Sequence, residues 1–113
     1  MAAVYVPDEG DIIWLNFTPQ SGHEQAGRRP AVVLSPKAYN RRTGLLICVP
    51  ITNQIKGYPF EVLLTGSGAT GAALADQIKS IDWKVRQAER KGRATPVEIT
   101  DIKAKIRALL KLP

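Results

Sequence analysis

Residues 31–49 read AVVLSPKAYNRRTGLLICV, in which two apolar runs flank a polar segment. The runs, Ala31–Leu34 and Leu45–Val49, are rich in branched aliphatic residues and are too short for buried helices. Short apolar runs bounded by turn-forming residues are typical of strands that are covered on both faces. The middle of the chain is therefore predicted to form two buried strands.

The residues that separate and follow these two runs carry turn signals. Ser35 before Pro36 is typical of a helix N-cap followed by the first helical position, which predicts one short helical turn over residues 36–40. Pro50 has no backbone N–H, and we expect it to close the strand that begins at Leu45.

Strand patterns continue on both sides of this unit. The β-branched and aromatic run 12–17 predicts a strand, and the segment 18–27 predicts a loop because it contains Pro19, Gly22 and Gly27. Further strands are predicted over 60–64 and 72–81, with a weaker pattern near 92–94, and turns or loops are predicted over 53–59 and 65–71.

The end of the chain has the pattern of a capped helix. In Thr95-Pro96-Val97-Glu98, the Thr and Glu form a capping box and the Pro occupies the first helical position. Ile99, Ile102, Ile106 and Leu109 then recur at helical spacing, which predicts a helix over 96–110 with one docked apolar face. Five or more short strands and this helix indicate a mainly-β domain, either a small antiparallel β-barrel or a tightly curled sheet.

Composition places the 113 residues among globular proteins, since 44% are hydrophobic and 23% are charged. We expect a single domain over 1–113. One Cys and one His exclude a disulfide framework and a Cys- or His-rich zinc site, and we expect no metal and no other cofactor. Cys48 lies in an apolar run and is interpreted as a small buried hydrophobe.

No segment resembles a membrane span or a signal peptide. The longest uncharged apolar stretch, 44–51, is far shorter than the roughly 20 residues that a membrane-spanning helix needs. The N-terminus has neither a basic segment nor an apolar segment of the secretory type. We therefore expect a cytoplasmic protein without a membrane partner.

Charge is distributed unevenly around the net value of +6. Residues 1–27 carry four acids and no Lys or Arg, whereas residues 28–60 carry six bases and no acid. This asymmetry favours a polyanionic partner, either a nucleic acid or an acidic protein segment, although a solvated basic face would give the same pattern.

The densest group of reactive side chains is the segment 23–29, with His23, Glu24, Arg28 and Arg29. Arg29 abuts the predicted strand, so its planar guanidinium is well placed to bind a phosphate; a flexible solvated loop is the alternative. Other candidates are a strand-end hydroxyl, a loop-tip amine and two polar side chains on one face of a strand: Thr52, Lys56, Gln77 and Lys79.

Five segments occur in an order that resembles one known family: 10–14, 24–35, 49–52, 56–62 and 75–81, among them EQAGRRPAVVLS and ADQIKSI. They strongly resemble the MazF/PemK/Kid family of toxin endoribonucleases from bacterial toxin–antitoxin systems. The resemblance implies an SH3-like small β-barrel of about five to seven strands with a C-terminal helix. It also implies a homodimer and a MazE-like antitoxin with an acidic, partly disordered tail.

The activity implied by the resemblance is metal-independent cutting of single-stranded RNA at short sequence motifs. Such cutting leaves a 2′,3′-cyclic phosphate and a 5′-hydroxyl. The family's catalytic residues correspond to Arg29, Thr52 and Glu24. The implied RNA-binding positions are His23, Arg28, Lys56, Gln77, Lys79 and Arg86.

Two other functions remain possible from the sequence. The same barrel occurs in CcdB-like toxins, which bind DNA gyrase without cleaving nucleic acid; those toxins end in Trp-Gly-Ile, whereas this chain ends in Lys111-Leu112-Pro113. A nucleic-acid-binding barrel without catalysis is the third possibility.

Overall fold

The computed structural model describes residues 4–17, 27–65 and 70–113, which contain seven strands and two helices. The mainly-β prediction with a C-terminal helix is confirmed. The strands are β1 (Asp11–Phe17), β2 (Gly27–Val33), β3 (Leu45–Thr52), β4 (Glu61–Leu63), β5 (Ala72–Leu74), β6 (Lys79–Asp82) and β7 (Glu89–Arg93), and the helices are α1 (Lys37–Thr43) and α2 (Pro96–Leu110).

All strands belong to one antiparallel sheet with the order β4-β5-β3-β2-β1-β7, and β6 also pairs with β3. Strand β3 is the branch point, because its first half pairs with β6 and its last two residues pair with β5. Among the described residues the path ends at β4 and at β7, so the sheet is open rather than a fully closed barrel.

The sheet buries apolar side chains on both faces. Alternate residues of β1 point to opposite sides, so Ile12 and Ile13 lie in two different hydrophobic clusters. Ile102 of α2 packs into the first cluster, and Trp83 packs into the second. Cys48 is buried in the second cluster as predicted, and burial raises the pKa of its thiol to about 12.

Strands β2 and β3 are longer than predicted, whereas the ends of β1 and β4 differ from the prediction by at most one residue. Strand β2 begins at Gly27 instead of Ala31, and β3 continues through Pro50 to Thr52. The Ile47 carbonyl accepts the backbone N–H of Leu34, so Ile47 faces β2 and Pro50 faces the other side of β3. On that side β3 pairs with β6 up to Cys48 and with β5 from Ile51, so Pro50 lies between the two partners. The missing N–H of Pro50 therefore removes no hydrogen bond from either ladder.

The predicted strand 72–81 is wrong as a single element. It is divided into β5 and β6 by a turn in which the N–H of Gln77 donates to the carbonyl of Leu74. The division lets the two strands pair with different halves of β3. Gln77 and Lys79 were predicted to share one face of a strand. This prediction is wrong, because Gln77 lies in the turn and only Lys79 lies in a strand. The weak strand pattern near 92–94 corresponds to β7, which begins earlier at Glu89.

Helix α1 continues to Thr43 and is therefore longer than the turn predicted over residues 36–40. Ser35 is not its N-cap. The N-cap is Pro36, without a side-chain cap. The hydroxyl of buried Ser35 instead donates to Oδ1 of Asn40 (2.6 Å) and accepts the backbone N–H of Ile47. Asn40 is fully buried and also accepts the indole N–H of Trp83 at its carbonyl, so this polar cluster links α1 to the sheet.

Helix α2 has the predicted bounds and the predicted capping box between Thr95 and Glu98. Ile102 is buried and Ile99 and Ile106 are partly buried, whereas Leu109 is 43% exposed, so the apolar face docks over its first part only. Within the described residues, no helix is long and apolar enough to cross a membrane.

Candidate active site

The ends of β2 and β3 bring Arg29 and Thr52 together. Ala31 pairs with Pro50 in the antiparallel register, and two further residues along each strand reach Arg29 and Thr52. Both residues line one hollow of about 530 Å³. The guanidinium that the sequence singled out and the hydroxyl that it placed at a strand end therefore face a common space.

The Thr52 side chain retains its proton for donation. Its Oγ1 accepts the backbone N–H of Gln54 at 3.1 Å, which fixes the hydroxyl at the start of the loop after β3. An oxygen that accepts in this way still has its O–H available. Thr52 can therefore donate a hydrogen bond to an anion in the hollow.

A second hollow of about 260 Å³ adjoins the first, and Thr52 and Gln54 line both. We call the joined space the Thr52 groove. Its first part is lined by Arg28, Arg29, Pro30, Ile51, Thr52, Asn53 and Gln54, and its second part by Thr52, Gln54, Lys56, Tyr58, Glu61, Leu74, Asp76 and Gln77.

The loop that carries Lys56 is held by one carboxylate. Glu61 accepts the backbone N–H groups of Lys56, Gly57 and Tyr58 at 3.0–3.2 Å. Charge-assisted hydrogen bonds of this kind are stronger than neutral ones. Glu61 is thus occupied by the loop backbone, and the loop presents the exposed Lys56 at the groove.

A tyrosine joins this loop to the turn that carries Gln77. The Tyr58 hydroxyl donates to Oδ2 of Asp76 at 2.8 Å, and this hydrogen bond raises the pKa of Tyr58. The other oxygen of Asp76 is buried and has no hydrogen-bond partner among the described residues. The two walls of the second hollow are therefore connected through Tyr58 and Asp76.

Arg28 lines the first hollow but is held by neighbouring residues. Its guanidinium donates to Oδ1 of Asn16 at 2.6 Å, to the carbonyl of Gln87 at 3.3 Å and to Oε1 of Glu89 at 3.0 Å. Asn16 also donates to the side chain of Gln87, whose φ is 52°. This network crosses β1, β2 and the segment leading into β7.

The groove brings together five of the nine predicted site residues: Arg28, Arg29, Thr52, Lys56 and Gln77. Lys79 opens β6, and Arg86 contacts the backbone of Asn16; neither lines the two hollows. Glu24 and His23 lie outside the described residues.

Sequence reasoning missed several residues at this site: Asn16, Gln54, Tyr58, Glu61, Asp76 and Glu89. Gln54, Tyr58 and Asp76 lie within two residues of a predicted candidate, whereas the contacts of Asn16 and Glu89 depend on tertiary pairing. Glu61 gave the best local signal, since it follows Lys56 by five residues across a loop that contains Gly57.

Comparison with known proteins identifies the family to which the chain belongs. The profile of the "PemK-like, MazF-like toxin of type II toxin-antitoxin system" family matches residues 8–110. The chain belongs to this family. It is 58% identical to the endoribonuclease toxin MazF of Escherichia coli K12 over 110 residues, which are 97% of this chain and 99% of that toxin. It is 33% identical to the E. coli endoribonuclease PemK, with 91% of this chain and 81% of PemK covered.

Solved structures of the same toxin family show the same fold. A MazE–MazF complex from Deinococcus radiodurans matches with a TM-score of 0.94 and 50% identity, and covers 97% of this chain and 100% of that one. A crystal structure of MazF from the same organism matches with a TM-score of 0.86 and 51% identity, over 96% of this chain and 100% of that one.

Proposed function

We propose that this member of the PemK/MazF family is an endoribonuclease toxin that cuts single-stranded mRNA at short sequence motifs without a metal ion, and so inhibits translation and growth. The observation that carries the proposal is that Arg29 and Thr52 line one hollow of a groove that also exposes Lys56. Relatives at 58% and 33% identity are named endoribonucleases, which supports the same reaction class here.

The reaction is a transfer of the phosphodiester within RNA. The 2′-oxygen attacks the adjacent phosphorus and forms a new P–O bond, while the bond to the 5′-oxygen breaks. A base takes the proton of the 2′-hydroxyl, and an acid gives a proton to the departing 5′-oxygen. The products are a 2′,3′-cyclic phosphate and a 5′-hydroxyl.

We propose that Arg29 stabilises the negative charge of the pentacoordinate phosphorane. Its forked guanidinium can contact two phosphate oxygens at once, and preorganised donors of this kind contribute roughly 3–4 kcal/mol each to transition-state stabilisation. A guanidinium rarely loses its proton in proteins, so Arg29 is a poor general base. Arg29 can still protonate the departing 5′-oxygen, because that alkoxide is a stronger base than a neutral guanidine.

Thr52 donates a second hydrogen bond to a phosphate oxygen, because its Oγ1 accepts from Gln54 and so keeps its own proton to donate. The proton of the 2′-hydroxyl requires an acceptor, for which we propose Glu24, with His23 as the other candidate in the same segment. A positioned general base contributes about 10²–10⁴-fold to rate.

The RNA strand follows the Thr52 groove. Arg28 and Lys56 supply positive charge along it, and Gln77 supplies an amide that can hydrogen-bond to unpaired bases. Lys79 and Arg86 lie outside the lining, and we propose that they contact the strand where it leaves the groove.

We also propose the assembly state and partners that the family resemblance implies. Residues 1–113 act as one toxin domain, two copies form a homodimer, and a MazE-like antitoxin with an acidic tail neutralises the toxin in the bacterial cytoplasm. A solved relative is a MazE–MazF complex, which supports the antitoxin. The net charge of +6 suits both the RNA and an acidic tail.

The test is incubation of long single-stranded RNA in EDTA with the purified protein and with Arg29→Ala, followed by mapping of the 5′ ends. We expect discrete cuts with 5′-hydroxyl ends from the parent and none from the variant, with the same circular dichroism spectrum for both. Intact RNA from a folded, antitoxin-free preparation would contradict the proposal and would direct attention to a gyrase-binding toxin. An active Arg29→Ala protein would contradict the assigned role of Arg29.

A further inference from the structure

One cation of the Thr52 groove already has an anionic partner within the chain. Glu89 accepts a hydrogen bond from Arg28 at 3.0 Å, and Arg28 lines the same hollow as Arg29 and Thr52. A phosphate that enters this hollow therefore meets a guanidinium whose positive charge is partly neutralised by a carboxylate.

Glu89 differs in kind from the other two acceptors of Arg28. Asn16 and the Gln87 carbonyl are neutral, so they orient the guanidinium without cancelling its charge. Glu89 lies in β7, where it pairs with Trp14 of β1, so the backbone of the sheet holds residue 89 close to Arg28. The carboxylate is thus always within reach of the Arg28 guanidinium.

The ion pair is exposed enough to exchange. The side chain of Arg28 is 34% exposed and that of Glu89 is 71% exposed. Exposed ion pairs contribute about 0.2–1 kcal/mol, whereas hydrogen bonds between a guanidinium and a phosphate are among the strong charge-assisted ones. A phosphate can therefore replace Glu89 at a small free-energy cost.

We propose that Glu89 competes with the RNA backbone for Arg28 and thereby sets the affinity of the Thr52 groove for single-stranded RNA. The inference rests on the proposed function, because it names a residue that tunes binding at the same site. Asn16 and Gln87 keep the guanidinium aimed at the groove, and RNA binding exchanges the Glu89 carboxylate for a phosphate. Glu89 is then an affinity-determining residue that does not touch the reacting atoms.

The test measures binding of a fluorescent, mixed-sequence 2′-O-methyl RNA, which has no nucleophilic 2′-hydroxyl and cannot be cut. Kd is measured over a range of salt concentrations for the parent, Glu89→Gln, Arg28→Gln and the double variant. Asp101→Asn is the matched control, because it removes one negative charge from an exposed ion pair with Lys105 on α2.

We expect Glu89→Gln to bind about 1.4–5-fold more tightly at low salt, which corresponds to the free energy of one exposed ion pair. The slope of log Kd against log salt concentration should stay close to the parent value, because Arg28 contacts a phosphate in both complexes. In the Arg28→Gln background the Glu89→Gln change should affect Kd no more than Asp101→Asn does. Asp101→Asn should alter Kd less and leave the slope unchanged.

Two results would overturn the inference. Glu89→Gln could bind no more tightly than Asp101→Asn, in which case only net charge matters. Its effect could also persist without Arg28, in which case Glu89 acts through another group. Cleavage of ordinary RNA by the parent protein separates the two proposals, since a parent that does not cleave contradicts the proposed function whatever the binding data show.

Discussion

Gly71 stands directly against the backbone carbonyl of Thr52. A Cβ on Gly71 would meet the Thr52 carbonyl oxygen well inside van der Waals contact, and Oδ1 of Asn53 at 3.1 Å. The φ angle of Gly71 is 112°, which L side chains rarely adopt. Because Thr52 pairs with the next residue, Ala72, this close approach fixes the strand end that carries the groove hydroxyl.

Gly71→Ala is expected to destabilise the protein and to reduce cleavage. The backbone conformation and the overlap together should cost about 2–4 kcal/mol in the free energy of unfolding, measured by urea titration. Gly44→Ala is the control, since Gly44 also has a positive φ but nothing within 4 Å of its Cβ position. A Gly71→Ala protein as stable as Gly44→Ala would show that the contact with Thr52 is unimportant.

Glu61→Gln is expected to weaken RNA binding without a loss of the chemical step. The neutral amide presents one acceptor oxygen in place of a carboxylate that accepts three backbone N–H groups, so the loop with Lys56 should lose its fixed position. We expect KM for a cleavable RNA to rise several-fold while kcat stays near the parent value.

The Lys56→Ala variant decides whether Glu61 acts through Lys56. If it does, the double variant Glu61→Gln/Lys56→Ala should have nearly the KM of Lys56→Ala alone. Additive effects of the two changes on KM would mean that Glu61 supports the groove by another route.

Local sequence determined helix α2, whereas the division of β5 from β6 depended on distant pairing. Thr95 and Glu98 are three residues apart and contact each other, so their pattern alone predicts the cap. Residues 72–81 have a continuous strand pattern, and only the change of partner along β3 explains the turn within them.

The candidate site also contains residues that could be predicted from the sequence and residues that could not. Arg29 and Thr52 were predicted from strand ends and from a family resemblance, and the register of β2 and β3 brings them into one hollow. Glu89 was not predicted, because its contact with Arg28 spans 61 positions in the sequence. No local pattern marks such a pair, since it exists only after β7 has paired with β1.

Arg29→Lys is expected to lower kcat much more than it raises KM. Lysine keeps the positive charge but lacks the planar fork that can contact two phosphate oxygens of the phosphorane. The expected loss in kcat is on the order of 10²-fold, the effect of one preorganised donor. Steady-state cleavage of a short RNA with a mapped cut site provides both constants, and near-parental kcat would contradict a bidentate contact.

Glu98 should make the stability of the protein sensitive to acid. Burial raises the pKa of its carboxyl, but hydrogen bonds from the backbone and hydroxyl groups of Thr65 and Thr95 outweigh burial, and the net pKa is lowered. A carboxyl with a lowered pKa in the folded state binds fewer protons than in the unfolded state. Its stabilising contribution is therefore present above the ordinary glutamate pKa and is lost as the pH falls through the folded-state value.

The corresponding experiment compares urea unfolding of the parent and Glu98→Gln at neutral pH and at about pH 3. The parent should be the more stable protein at neutral pH, and the difference should shrink in acid. Glu89→Gln is the control, since its exposed carboxylate does not join α2 to the sheet. A constant difference between parent and Glu98→Gln at both pH values would mean that packing at residue 98, and not its charge, stabilises the start of α2.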